Sequence, residues 1–138
     1  MTRPKTTSKE RLAKKKEAKK VVLDHDFAGI KKGQTMFVAT PQIVDAYIRK
    51  IPYGETRTIL AMRNTLARRY KCDATCPVST SFFIRISAEA AIEDLEDGVS
   101  DVEVAPFWRL LSSKDKITKR LPLPDFSWLD EKRAMEQI

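Results

Sequence analysis

The chain has 138 residues, a mass of 15.8 kDa, a formal net charge of +7 and a pI near 9.5, with 42% apolar residues. At about 100–150 residues per domain this is one domain with a tail, and no stretch approaches the roughly 18 apolar residues of a membrane helix. A positive amino terminus with no apolar run behind it argues against a secretory leader, and two cysteines, Cys72 and Cys76, are too few for a disulfide framework or a four-ligand zinc site, so a reducing cytoplasmic setting is expected.

The charge is unevenly placed. Residues 1–20 hold nine basic and two acidic side chains, which equals the whole net charge, while the remainder balances at seventeen of each. Between Arg49 and Arg85 eight basic groups face Glu55 and Asp73, and from Glu89 to Glu103 there are seven acidic groups and no basic one. Basic tails and patches bind polyanions by neutralising phosphates and releasing counterions, so nucleic acid is the expected partner class. A solvated, solubilising tail is the competing reading.

Residues 1–20 lack apolar spacing and are predicted to form a disordered basic arm. Residues 21–37 read as an extended lead-in: the runs Val21-Val22-Leu23 and Thr35-Met36-Phe37-Val38, separated by Gly29 and Gly33, suggest a small hairpin. Thr40-Pro41 then supplies a cap and a first-turn proline. Ile43, Val44, Tyr47, Ile48 and Ile51 follow at helical spacing, which predicts a helix over 41–51.

Pro52-Tyr53-Gly54-Glu55 is a turn, and a second helix is predicted over 58–70 with Ile59, Leu60, Met62, Leu66 and Ala67 on its apolar side. A short polar connection over 71–75 leads to a third helix over 77–97, opened by Pro77 and stopped by Gly98. Two helices joined in this way fit a helix-turn-helix. Leu110-Leu111, the polar turn 112–116 and a return strand over 117–121 read as a small β-wing. Pro122 and Pro124 interrupt it, and a closing amphipathic helix is predicted over 128–138. The expected fold is therefore α+β, mostly α: a winged helix-turn-helix over 38–138.

At Ile51-Pro52-Tyr53-Gly54-Glu55-Thr56 and Pro106-Phe107-Trp108-Arg109-Leu110 the chain resembles the DNA-binding domain of the alkylguanine DNA alkyltransferase family, including its alkyltransferase-like members. That family has an I-P-x-G-x-V/T segment opening its helix-turn-helix, a P-C-H-R-V active-site motif after the recognition helix, then a turn and a closing helix. The order and approximate spacing are kept over 38–138, with Trp128-Leu129-Asp130-Glu131-Lys132-Arg133 similar to the closing helix. The departures decide the chemistry. The family's cysteine thiolate is the nucleophile, activated by a neighbouring histidine–water network. Here the cysteine position is Phe107 and the histidine position Trp108, so alkyl transfer at the family site is excluded and no catalytic residue is carried over.

The family flips its target nucleotide with a tyrosine and an arginine. Those positions fall on Ile59 and Ser81, with Arg85 one turn further on, and bulky Phe107 and Trp108 stand where the flipped base would go. The two aromatics form either a base-stacking platform or, the preferred reading, part of the core. Arg109, by resemblance, is structural. The expected DNA contacts are Ser79, Thr80, Ser81 and Arg85 on the recognition helix, with the wing, and phosphate contacts from Arg63, Arg68, Arg69, Lys71 and the arm. The acidic stretch beyond Glu89 keeps its end of the helix off DNA or is a plain solvated face.

The resemblance implies a non-enzymatic protein that binds duplex DNA, nucleoid-associated when bound, with a role in damage recognition or repair alongside a repair-protein partner. Two alternatives stand beside it: a divergent alkyltransferase whose acceptor is Cys76 or Cys72, and a winged module that binds another protein. Cys76 near a helix start is either a reactive thiol or a buried structural one. Asp24-His25-Asp26 reads as a polar loop rather than a metal cluster. No metal, cofactor or membrane contact is expected, and the oligomeric state is not readable.

Overall fold

In the computed structural model, which describes residues 7–137, threonine side chains open the first three helices. Thr7 accepts from the Glu10 amide at the start of α1, Ser8–Ala13. Thr40 accepts from the Ile43 amide at the start of α2, Pro41–Arg49, and Thr58 from the Ala61 amide at the start of α3, Ile59–Arg69. Each hydroxyl satisfies one of the amides that a first helical turn leaves without a carbonyl partner. α4, Pro77–Glu96, starts instead with proline behind Cys76, and Gly98 at φ +90° follows its end. α5 runs over Ser127–Glu136.

Three short strands complete a mostly helical α+β fold. β1 (Lys19–Val22) pairs antiparallel with β2 (Thr35–Val38), Lys19 opposite Val38 and Val22 opposite Thr35. β2 pairs parallel with β3 (Ala74–Thr75), Met36 beside Ala74 and Phe37 beside Thr75. The sheet changes the expected connection between the second and third predicted helices. Residues 71–75 are not a free polar turn: Asp73 exchanges bonds with Thr35 through backbone and carboxylate, and the Cys76 amide donates to the Phe37 carbonyl. The start of α4 is thereby fixed to the strand pair. Phe37, 1% exposed and stacked on Tyr70 at 4.1 Å, anchors that sheet in the main core, so the lead-in belongs to the domain.

The arm is also structured where it is described. Residues 1–6 of the predicted disordered arm lie outside the described residues, as does Ile138, but α1 docks on α4. The Ser8 and Lys9 amides donate to the Glu93 carboxylate, the Ser8 hydroxyl donates to Glu89, and Lys9 pairs with Asp94 at 2.8 Å. Glu93 serves as an anion at the positive end of α1, and the acidic end of α4 is therefore the seat of the arm rather than an unoccupied face. The Gln42 amide nitrogen ties the segment to α2 by donating to the Leu12 and Lys14 carbonyls.

The expected β-wing is not formed. Among the described residues no strand follows Thr75; residues Ile117–Arg120 make a 3₁₀ turn, as do Phe107–Arg109. The Ser112 amide donates to Asp115, and the buried Thr118 hydroxyl donates to the Ser112 carbonyl, so side chains close the segment on itself. Those local bonds compete with a ladder, and Pro122 and Pro124 remove donors that a returning strand would need. Ser113 fastens this loop to α5 by donating hydroxyl and amide to Asp130.

α4 runs through the middle. Its residues from Phe83 to Ile92 are mostly buried, with Ile84, Ser87 and Ala88 at 0% exposure, because α1, α2 and the first 3₁₀ turn cover different sides of it. Its first two turns carry an uncovered stripe.

Candidate nucleic-acid interface

The uncovered stripe on α4 comprises Val78, Ser81, Phe82 and Arg85, residues three or four apart and hence on one helix face. Val78 is 62% and Phe82 48% exposed. Val78, Ser81, Phe82 and Arg85 line, with Lys116, Ile117 and Arg120, a groove of about 370 Å³. Phe82 and Ile86 also line a second groove, of about 250 Å³, with Glu10, Arg11, Lys14 and Lys16 of the arm. Phe82 is the one residue that lines both.

Six cations thus line the two grooves that Phe82 shares: Arg11, Lys14 and Lys16 in the arm-side groove, Arg85, Lys116 and Arg120 in the loop-side one. Arg85 is paired with Glu89 at 2.6 Å. Among the described residues no ion pair neutralises the other five. An apolar centre with a rim that stays net basic beside Glu10 and the Arg85–Glu89 pair is suited to a ligand that combines flat apolar surface with phosphate.

The residues singled out from sequence divide. Ser81 and Arg85 line the loop-side groove. Thr80 does not reach solvent: it is 0% exposed, and its hydroxyl donates to the Cys76 carbonyl at 2.6 Å, so the expected DNA contact there is withdrawn. Ser79 is partly buried, its hydroxyl enclosed without a partner among the described residues. Arg63 is partly buried with its Nε enclosed, and its carbonyl receives the Thr75 hydroxyl. Arg68, Arg69 and Lys71 are exposed at the end of α3 but line neither groove. Sequence reasoning did not single out Val78 and Phe82 as contacts. The 78–82–85 spacing was legible; which side of α4 its neighbours leave open was not.

The degenerate motif lies elsewhere. Phe107 is 0% and Trp108 2% exposed, and with Trp128 they form a cluster of rings 5.5–5.8 Å apart. Burial removes the base-stacking reading of both side chains. The Trp108 indole donates to Glu136 at 2.6 Å, and Arg109 donates to both Glu136 oxygens and to the Ile51 carbonyl. The Gly54 amide completes the set on Glu136. Gly54 sits at φ +82°, and a Cβ there would meet the Glu136 carbonyl at 3.2 Å, so the turn after Pro52 requires glycine. Burial pushes the Glu136 carboxyl up, but the bonds from Arg109, Trp108 and Gly54 outweigh it and hold the group below its usual range.

No family model, curated protein or solved structure matches this chain. Its own chemistry is therefore the guide to its role. Cys76, 5% exposed, packs with Leu23, Ile30 and Met36, while Cys72 is partly buried with its thiol directed at the Tyr70 carbonyl. Neither borders the two grooves. His25 is exposed and lies against Asp24, and no group of three metal-ligating side chains occurs among the described residues. No described helix is long and apolar enough to cross a membrane.

Proposed function

We propose that this protein is a non-enzymatic, alkyltransferase-like DNA-binding protein that seats the first turns of α4 on duplex DNA. In this reading α3 and α4 act as the helix pair of a winged domain, and the loop over 112–121 takes the place of the wing. The observation that carries it is the α4 stripe of exposed Val78 and Phe82 with partly exposed Ser81 and Arg85, which lines grooves bordered by cations of the arm and of the loop. The motif resemblance supplies the setting, damage recognition or repair, and the buried Phe107–Trp108 pair at the nucleophile position supports a binding rather than a transfer role. An alkyl acceptor at Cys76 is disfavoured by its burial.

The test is a titration of duplex affinity against salt. With six cations engaged, the logarithm of the binding constant should fall with the logarithm of salt at a slope of about −5. A slope near zero would overturn the proposal.

A further inference from the structure

We infer that Phe82 is a stacking anchor for an unpaired base in a DNA duplex, an inference that rests on the DNA-binding reading above. Three observations lead to it. First, the ring is 48% exposed although the same helix buries Phe83, at 8%, one residue later. A phenyl group left half in water on an otherwise well-covered helix gains contact only when a partner covers it. Second, Phe82 lines two separate grooves, so open space adjoins it in more than one place. A side chain serving only to touch a thymine methyl in the major groove needs no such clearance. Third, cations outnumber acids in both grooves: Arg11, Lys14 and Lys16 with Glu10 in one, and Arg85, Lys116 and Arg120 in the other, where only Arg85 is paired, with Glu89.

Charge complementarity selects the occupant. A base leaving its stack brings a flat apolar face and, through the backbone on each side of it, two phosphates. The ring meets the face and the two basic rims meet the phosphates, a combination used wherever aromatic platforms sit in basic channels. Stacking within an intact duplex hides base faces, so the ring contributes fully only where a nucleotide is unpaired and free to leave the stack. This assigns to the interface a preference for a duplex carrying an unpaired nucleotide. It assigns no role to Phe107 or Trp108, which remain buried.

The experiment compares the intact protein on two labelled duplexes at one salt concentration, one fully paired and one with a single unpaired nucleotide. The expected preference for the second is about tenfold, within what stacking one base on a ring supplies. Phe82→Leu, apolar but without a ring, should abolish the preference by weakening the unpaired-nucleotide complex about tenfold, and Phe82→Trp should retain it. Circular dichroism of the variants checks that the exposed position leaves the fold intact. Equal affinity of the wild type for both duplexes, with a normal salt slope, overturns the stacking role alone, as does a preference that survives in Phe82→Leu. Failure to bind either duplex overturns this inference together with the DNA-binding proposal.

Discussion

Trp108 and Glu136, twenty-eight residues apart, are joined by an indole-to-carboxylate hydrogen bond of 2.6 Å in a buried setting. Arg109 holds the same carboxylate through two nitrogens, Gly54 donates to it, and Arg133, one turn before Glu136, donates to the Trp108 carbonyl. The turn after Pro52, the first 3₁₀ turn and the end of α5 therefore converge on one side chain. Trp108 and Arg109 of the degenerate motif thus tie these three segments together.

Replacing Glu136 is expected to be costly. Its side chain is 7% and that of Arg109 15% exposed, so Glu136→Gln leaves a largely enclosed guanidinium without its counter-charge. Removing one partner of such a pair costs about 3–5 kcal/mol. Urea unfolding should show the midpoint falling by a corresponding amount, while the salt slope of DNA binding by the folded fraction stays as in the wild type.

The same carboxylate makes stability depend on pH in one direction. Burial raises its pKa, but hydrogen bonds from Arg109, Trp108 and Gly54 lower it more, leaving the folded value below the ordinary 4.5. A depressed folded value means that the unfolded chain takes up the proton first. The stabilisation is complete above the ordinary value and is lost as pH falls through it toward the folded value. Asp130, held low by the Ser113 hydroxyl and amide, and Asp125, held low by Ser127, act in the same sense. Urea midpoints measured at descending pH should drop across this window, and Glu136→Gln should flatten the profile without abolishing it.

Much of this architecture was readable from residues, and the failures share a cause. Thr40-Pro41, Thr58 and Pro77 marked helix starts to within a residue, because caps and first-turn prolines act locally. The burial of Phe107 and Trp108 followed from their size and apolar context. The wing was misjudged because Asp115 and Thr118 bind back to Ser112, a choice that periodicity does not register. α1 depends on Glu89 and Glu93 more than eighty residues away, and Thr80, expected at the surface, is fully buried while Phe82 two residues on is exposed, because burial on α4 depends on its long-range neighbours. Local signals were legible; long-range covering was not.

The two thiols should respond differently to a thiol reagent. Cys76 is 5% exposed beneath Leu23, Ile30 and Met36, whereas Cys72 is partly open. Since access limits modification when the thiolate is enclosed, native protein should react first at Cys72 and only slowly at Cys76. Both should react at similar rates in urea. Mass analysis of quenched samples reports the order. Faster native labelling of Cys76 would show that the α4 start opens and would revive it as an acceptor.

Charge removal at the loop separates steering from shape. Lys116 and Arg120 border the groove beside Phe82 and have no ion-pair partner among the described residues, so their truncation leaves no buried charge behind. Lys116→Ala with Arg120→Ala should leave the unfolding free energy from urea titration within about 0.5 kcal/mol of wild type per substitution. If both cations meet phosphates, the salt slope should become shallower by about 2, and affinity should fall for paired and unpaired-nucleotide duplexes alike. Truncating Arg68 and Arg69, exposed at the end of α3 and outside both grooves, provides the comparison. A larger change in slope from that pair would move the phosphate track from the loop to α3, while a shallower slope confined to Lys116 and Arg120 places it beside Phe82.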